Sequence, residues 1–194
     1  MHLLIKSIWY VLRQLRSTIK YVYFKCTLGS YFTSLGKGTK FYGRLRFGSV
    51  ENNISIGEHC MIGHDVFLSA QKNSFISIGN NCSINTSTHI VSTQRITIKD
   101  GTRIGEFCSI RDQNHSFENM HEPIYKQGFT GAAISIEENC WIGRGVMITA
   151  GVKLGQGCVV GANSVVTKSF EENSIIAGVP AKLIRKRGEL KKAD

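Results

Sequence analysis

Proline is scarce in this chain of 194 residues: there are two, Pro123 and Pro180, against twenty glycines with no collagen period. That ratio excludes a triple helix and points to many tight turns rather than long helices. The first fifty residues hold no acidic side chain but nine Lys and Arg. Residues 51–180 are slightly acidic, and residues 181–194 are basic again, with six cations against two acids. A net charge of +10 confined to the two ends does not describe a nucleic-acid groove, which needs its excess on the folded body. A long apolar run is missing too. Within residues 3–24 the longest charge-free stretch is the six residues 7–12, too short for a secretory core of ~7–15 residues or a span of ~20. The expectation is a cytoplasmic protein. The 42% hydrophobic content still supplies a core and excludes wholesale disorder.

The N-terminal stretch is patterned. At 100° per residue Lys6, Arg13, Arg16 and Lys20 share one side of a helix, and Ile5, Ile8, Leu12, Leu15, Ile19 and Val22 share the other. Residues 1–34 read as a basic amphipathic helical segment. Its apolar stripe has two uses, packing on the domain or a neighbouring subunit, or lying on an anionic membrane through residues 1–25.

From residue 54 onward an aliphatic residue recurs every six positions: Ile56, Ile62, Leu68; Ile78, Ile84, Ile90; Ile98, Ile104, Ile110; Ile136, Ile142, Ile148; Leu154, Val160, Val166. Glycine often follows it, and a small or β-branched residue comes four positions on. Six fits neither a 3.6-residue helix nor a simple two-residue alternation. It fits a prism whose sides are short strands joined by turns; three sides make an 18-residue coil, and coils stack at ~4.8 Å into an all-β parallel β-helix. The expected domain is 35–180, followed by a basic C-terminal helix or tail over 181–194.

The period slips after Leu68, Ile90 and Ile110, always on the third side, so insertions leave from one corner. The largest covers 115–134 and begins at His115; a loop of that length in a regular domain is usually functional. Cys60, Cys82, Cys108, Cys140 and Cys158 all occupy the small-residue position of the repeat, with no metal-finger spacing. They read as filler rather than as a metal or disulfide site.

The runs Ile56–Val66 and Ile136–Val166, with Gly178-Val179-Pro180-Ala181-Lys182 closing them, resemble the bacterial hexapeptide-repeat acyltransferases. The branch they are most similar to contains galactoside and maltose O-acetyltransferases and the O-acetyltransferases of lipopolysaccharide and capsule synthesis. The resemblance covers about residues 35–187. It implies a left-handed β-helix, acetyl-CoA as donor, no metal, and a homotrimer with active sites between subunits. It gives His115 as general base and Asn85 as an acceptor-contacting residue; Asn114 is a further candidate, and Asp112, three residues before the histidine, either orients the imidazole or caps the turn. The resemblance places CoA along Arg144, Ala162, Thr167, Lys168, Lys182 and Arg185; Trp141, which faces outward in the strand alternation, has two uses, walling the pantetheine channel or covering a subunit contact. Relatives often read Asp-His-Asn-His where this chain reads Asp-Gln-Asn-His, so Gln113 replaces the first histidine.

The implied activity is O-acetylation of a sugar in a bacterial surface glycan, or in its lipid-linked precursor, at the inner face of the membrane. A small-molecule acceptor (an antibiotic or free sugar) and an amino-sugar N-acetyltransferase stay open beside it. A γ-carbonic-anhydrase-like zinc site is disfavoured, because Gly79 stands two coils before His115 where a histidine would be needed. A catalytically inert scaffold is the remaining alternative.

Overall fold

The structure, a computed structural model, describes residues 10–12, 15, 18–19, 22, 29–49 and 53–189. The cations Lys6, Arg13, Arg16 and Lys20 and the tail 190–194 lie outside the described residues. Three parallel sheets form the walls of a prism. The first stacks Phe32–Leu35, Ile54–Ile56, Phe75–Ile78, Arg95–Ile98, Ile134–Ile136 and Lys153–Leu154. The second stacks Lys40–Phe41, Met61–Ile62, Ser83–Ile84, Arg103–Ile104, Trp141–Ile142 and Val159–Val160, then Ser174–Gly178 and Ala181–Lys186. The third stacks Leu45–Phe47, Val66–Ala70, His89–Ser92, Ser109–Arg111, Met147–Ile148 and Val165–Val166. The chain is therefore a parallel β-solenoid with very little helix.

Register follows the six-residue pattern read from the sequence. Ile56, Ile78, Ile98, Ile136 and Leu154 are successive partners on the first wall. Ile62, Ile84, Ile104, Ile142 and Val160 line up on the second. Each is almost completely buried. Burying one such side chain contributes about 1.5–3 kcal/mol, so the stacked layers dominate the stability of the fold. The insertions at 71–74, 93–94 and 112–133 all leave at the corner between the third and first sheets.

Two boundaries differ from the sequence reading. The first coil begins at Phe32 rather than residue 35, because Tyr31, Phe32 and Phe47 close the end of the prism. Tyr31 stacks on Phe47 at 4.3 Å between ring centroids, and Phe32 meets Phe47 edge-on at 5.6 Å. The expected C-terminal helix is a strand, Ala181–Lys186, antiparallel to Ser174–Gly178. Ser174–Gly178 is the last parallel strand of its wall and would leave a row of unpaired backbone groups. Gly178, at φ +106°, turns the chain back so that the next strand pairs that edge. The described N-terminal residues Tyr10–Leu12, Leu15, Thr18–Ile19 and Val22 are helical, as the spacing predicts.

The cysteines do more than fill space. Thr39, Cys60, Cys82, Thr102, Cys140, Cys158 and Ser174 form one column inside the corner between the first and second walls. The Thr39 and Thr102 hydroxyls donate to the Gly57 and Glu137 carbonyls of the next coil, at 2.7 and 3.1 Å. The Cys60, Cys82, Cys140 and Cys158 thiols do the same to Gly79, Lys99, Gly155 and Glu171, at 3.0–3.3 Å. Cys108, at the next corner, donates to Gly143 at 3.1 Å. Burial pushes the Cys108 thiol above its ordinary pKa. Cys60, Cys82, Cys108, Cys140 and Cys158 are all free. No group of three or more metal-binding side chains occurs among the described residues.

Candidate active site

His115 stands on a two-stranded arm. Gln113–His115 pairs antiparallel with Phe129–Gly131, placing Asn114 opposite Thr130 and His115 opposite Phe129. The expected irregular loop is thus an arm with an ordered stem. The imidazole is exposed and lies 4.3 Å from the Phe129 ring, centroid to centroid. Beyond the stem the segment is held by Gln127, whose side chain donates to the carbonyls of Asn119 and Glu122 and accepts from the Asn119 N–H.

Asp112 fixes the root of this arm. It is fully buried, and its carboxylate accepts from the Ser92 hydroxyl at 2.7 Å, the Thr93 N–H at 2.7 Å and the Gln94 N–H at 3.0 Å. The Thr93 hydroxyl adds a longer bond at 3.3 Å. These bonds occupy the carboxylate on the 92–94 turn, so Asp112 caps that turn and acts on His115 only through the backbone. Gly131 packs over the same residue: a Cβ there would lie 2.8 Å from the Asp112 carbonyl. The Oε1 of the neighbouring Gln113 is buried without a hydrogen-bond partner.

Asn85 sits at a different corner, between the second and third walls. The backbone ladder places Tyr42, Gly63, Asn85, Gly105, Gly143 and Gly161 at equivalent positions of successive coils, each N–H donating to the next coil's aliphatic carbonyl. Glycine is needed there because the coils approach closely: a Cβ on Gly63, Gly105 or Gly143 would meet a backbone nitrogen of the following coil at 2.6–2.7 Å. Asn85 interrupts the run of glycines at Gly63, Gly105, Gly143 and Gly161, so it places a side chain between coils that have none there; Tyr42, in the first coil, is the other exception.

The same corner carries Arg144 and Ala162, one coil apart. Arg144 pairs with Glu106 at 3.5 Å and its guanidinium lies over the Phe107 ring at 5.9 Å. Phe107 is a residue the sequence reading missed. It is exposed and held at φ +60°, where equivalent positions carry Asp65, Ser87, Gly145 and Asn163. A bulky side chain in the left-handed region costs of order 1–3 kcal/mol, and such positions cluster at functional sites. The departure from small and polar residues at that repeat position was the available signal.

The remaining expected residues fall in two places. Thr167 and Lys168 lie at the corner that bears the His115 arm, with the Lys168 ammonium 5.7 Å from the Phe170 ring centroid. Trp141 is exposed on the outer face of the second wall, between Arg103 and Val159. Lys182 and Arg185 lie on the edge strand of that wall, opposite Ala177 and Ile175. The Arg185 guanidinium donates to the carbonyls of Lys186 and Glu189, at 3.1 and 2.9 Å. Within one chain, then, His115 joins Thr167 and Lys168, whereas Asn85 joins Arg144 and Ala162 a full prism side away.

An open groove of about 690 Å³ lies elsewhere: Glu137, Glu138, Lys153, Gln156, Glu171 and Glu172 line it at the corner between the first and second walls. Four carboxylates make it unsuited to an anionic ligand, and no residue of the arm reaches it.

A solenoid of hexapeptide coils with a histidine raised on a lateral arm defines an acyltransferase class of enzyme. Residues 53–86 and 133–168 match the family described as the hexapeptide repeat of succinyl-transferase. The chain is 34% identical over 143 residues to the protein assigned in Escherichia coli (strain K12) as the lipopolysaccharide biosynthesis O-acetyl transferase WbbJ, covering 70% of this chain and 73% of that one. It is 34% identical over 132 residues to the galactoside O-acetyltransferase of the same strain, covering 68% and 63%. A solved galactoside acetyltransferase in complex with coenzyme A superposes with a TM-score of 0.55 at 29% identity, over 80% of this chain and 65% of that one. The chain belongs to the hexapeptide-repeat acetyltransferase family.

Proposed function

We propose that this enzyme transfers an acetyl group from acetyl-CoA to a sugar hydroxyl of a bacterial surface glycan or its lipid-linked precursor, working at the cytoplasmic face of the membrane. The observation that carries the reading is the exposed His115 imidazole on an arm rooted by a buried, four-bonded Asp112. The imidazole takes the proton of the acceptor hydroxyl as its oxygen attacks the thioester carbonyl. The tetrahedral intermediate collapses with cleavage of the C–S bond. The imidazolium returns the proton to the CoA thiolate, leaving an acetyl ester, free CoA and a neutral histidine.

Lys168 and Lys182 are exposed cations able to neutralise CoA phosphates, and Ala162 leaves room for the pantetheine arm against the backbone. Arg185, engaged on two carbonyls, shapes the strand that presents Lys182. The two halves of the site, His115 at one corner and Asn85 with Arg144 at another, meet when the corner of one copy faces the second corner of the next, which is the arrangement of a homotrimer. The E. coli relative assigned to lipopolysaccharide biosynthesis supports a glycan acceptor, and the equally identical galactoside O-acetyltransferase keeps a small sugar as the second reading.

The test is thiol release from acetyl-CoA with a panel of free sugars, nucleotide sugars, lipid-linked oligosaccharides and aminoglycosides. Turnover is expected on a glycan acceptor and lost in His115→Ala, since a general base typically supplies ~10²–10⁴-fold. More than a tenth of wild-type turnover in that variant removes His115 from the mechanism. Turnover confined to aminoglycosides replaces the glycan reading.

A further inference from the structure

We infer that the end of the solenoid at which the chain enters is a docking face for an anionic lipid bilayer, with the helical segment before it lying in the bilayer interface. The inference rests on surface chemistry and stands whether or not the acceptor is a glycan.

Two features are neighbours in sequence at that end. The first is apolar. Tyr10, Val11, Leu12, Leu15, Ile19 and Val22 are helical and 52–64% exposed, so the described part of the stripe is not packed on the prism. On a helical wheel Val11, Leu12, Leu15, Ile19 and Val22 fall within about 100° of arc, the width of a face that lies in an interface. The second is charge. The first coil presents Lys37, Lys40, Arg44 and Arg46, and residues 1–50 contain no acid. Lys37, Arg44 and Arg46 are exposed, and none of the four takes part in an ion pair among the described residues. The nearest acids in sequence among the described residues, Glu58 and Asp65, belong to the next coil away from the end. The sequence adds Lys6, Arg13, Arg16 and Lys20, spaced to fall on one side of the same helix.

Charge complementarity selects the occupant. A protein partner would need an acidic, hydrophobic counter-surface made for this end. An anionic bilayer offers apolar depth and dense phosphate together, and cations beside an apolar helical face match both. No charge-free run within residues 3–24 exceeds six residues, far short of the ~20 a span needs, so the contact proposed is peripheral. A consequence follows for the reaction. His115 leaves the solenoid after its fourth coil, three coil spacings from the docking end, so it stands roughly 15 Å above that end when the axis is upright on the bilayer. Such a height suits a hydroxyl carried some way out from a lipid rather than one at the headgroup.

Full-length protein is sedimented with vesicles of phosphatidylcholine alone and of phosphatidylcholine with 30% phosphatidylglycerol, in low and high salt. Binding is expected only to the anionic vesicles, at least tenfold weaker in high salt. Two variants divide the contributions: Leu15→Glu/Ile19→Glu removes the apolar contact and Lys37→Gln/Arg44→Gln/Arg46→Gln the charge of the first coil. Each is expected to weaken binding several-fold with melting temperature and oligomeric state unchanged. Absence of wild-type binding at low salt, or equal binding to neutral vesicles, overturns the inference. So does unaltered vesicle binding in the charge variant, which remains informative even where the helix variant fails to fold. Loss of the oligomer in the helix variant, with vesicle binding unaffected by charge, makes the stripe a packing surface instead.

Discussion

Asp112 and His115 are three residues apart and have opposite requirements. One carboxylate is buried beneath four donors so that one imidazole can stand in solvent. Asp112→Ala leaves those donors without their acceptor, and hydrogen bonds to a charged group are worth about 1.5–3 kcal/mol each. The expected outcome is a lower melting temperature together with lower kcat, because the root of the arm is released; calorimetry and steady-state kinetics check both. Phe107 works in the other direction. Phe107→Asn relieves left-handed strain of about 1 kcal/mol or more and removes the ring beneath Arg144. It should raise the melting temperature while lowering kcat/KM for acetyl-CoA or the acceptor. A variant that gains stability at unchanged kcat/KM would make Phe107 a bystander. His89 carries the pH-sensitive residue prediction. Burial first, then the charges of Arg111 and Arg46, lowers its pKa below the ordinary value. A histidine depressed in the folded state binds fewer protons than the unfolded chain, so its contribution is fully present above the unfolded pKa of ~6.5 and is lost as pH falls through that value toward the folded one. His89→Gln should flatten the acid side of the curve of melting temperature against pH between 7.5 and 5.

At the scale of elements, the corner columns decide what each coil tolerates. A thiol or hydroxyl at the inner corner caps a carbonyl of the next coil, so cysteine there is exchangeable for threonine or serine but not freely for alanine. Cys140→Ala leaves the Gly155 carbonyl with only the Cys158 N–H at 3.3 Å, costing about 1 kcal/mol, or roughly 2–4 °C in a chain of this size. Cys140→Ser, which keeps a donor, should melt closer to wild type. Activity per folded molecule is expected to stay unchanged in both, since no thiol chemistry enters the transfer. Inactivation of well-folded Cys140→Ser would instead call for a covalent thiol step.

At the scale of the whole molecule, the prism holds His115 and Asn85 apart. His115 and Asn85 occupy different corners of one chain, and a rigid solenoid with fully buried layers offers no hinge to close that gap. The proposed site built from two copies is tested by complementation. His115→Ala and Asn85→Ala, each inactive or nearly so alone, are expected to regain a substantial fraction of activity when co-expressed as mixed oligomers, because some interfaces then contain both wild-type residues. If mixed oligomers form and stay inactive, the site is completed within one chain.

The six-residue period by itself determined the walls, the register and the corner from which the arm departs. One buried aliphatic residue per side repeats so strictly that a slip of one would turn the core outward. His115 was legible because the period breaks beside it, whereas Asn85 was picked out only by its resemblance to an acceptor-contacting asparagine of the sugar acetyltransferases. Residues 181–186 were not legible as a strand. Local sequence carries no record that a preceding parallel strand leaves an edge to be paired, and that need arises only once the coils are stacked. The partners of Asp112 were equally hidden: the carboxylate answers donors some twenty residues earlier, brought beneath it by one turn of the solenoid. The cysteine thiols found their acceptors the same way, and Phe107 reveals its strain only through a backbone angle. Periodic burial is written into the spacing of apolar residues, whereas polar satisfaction between coils depends on which groups the finished stack sets face to face.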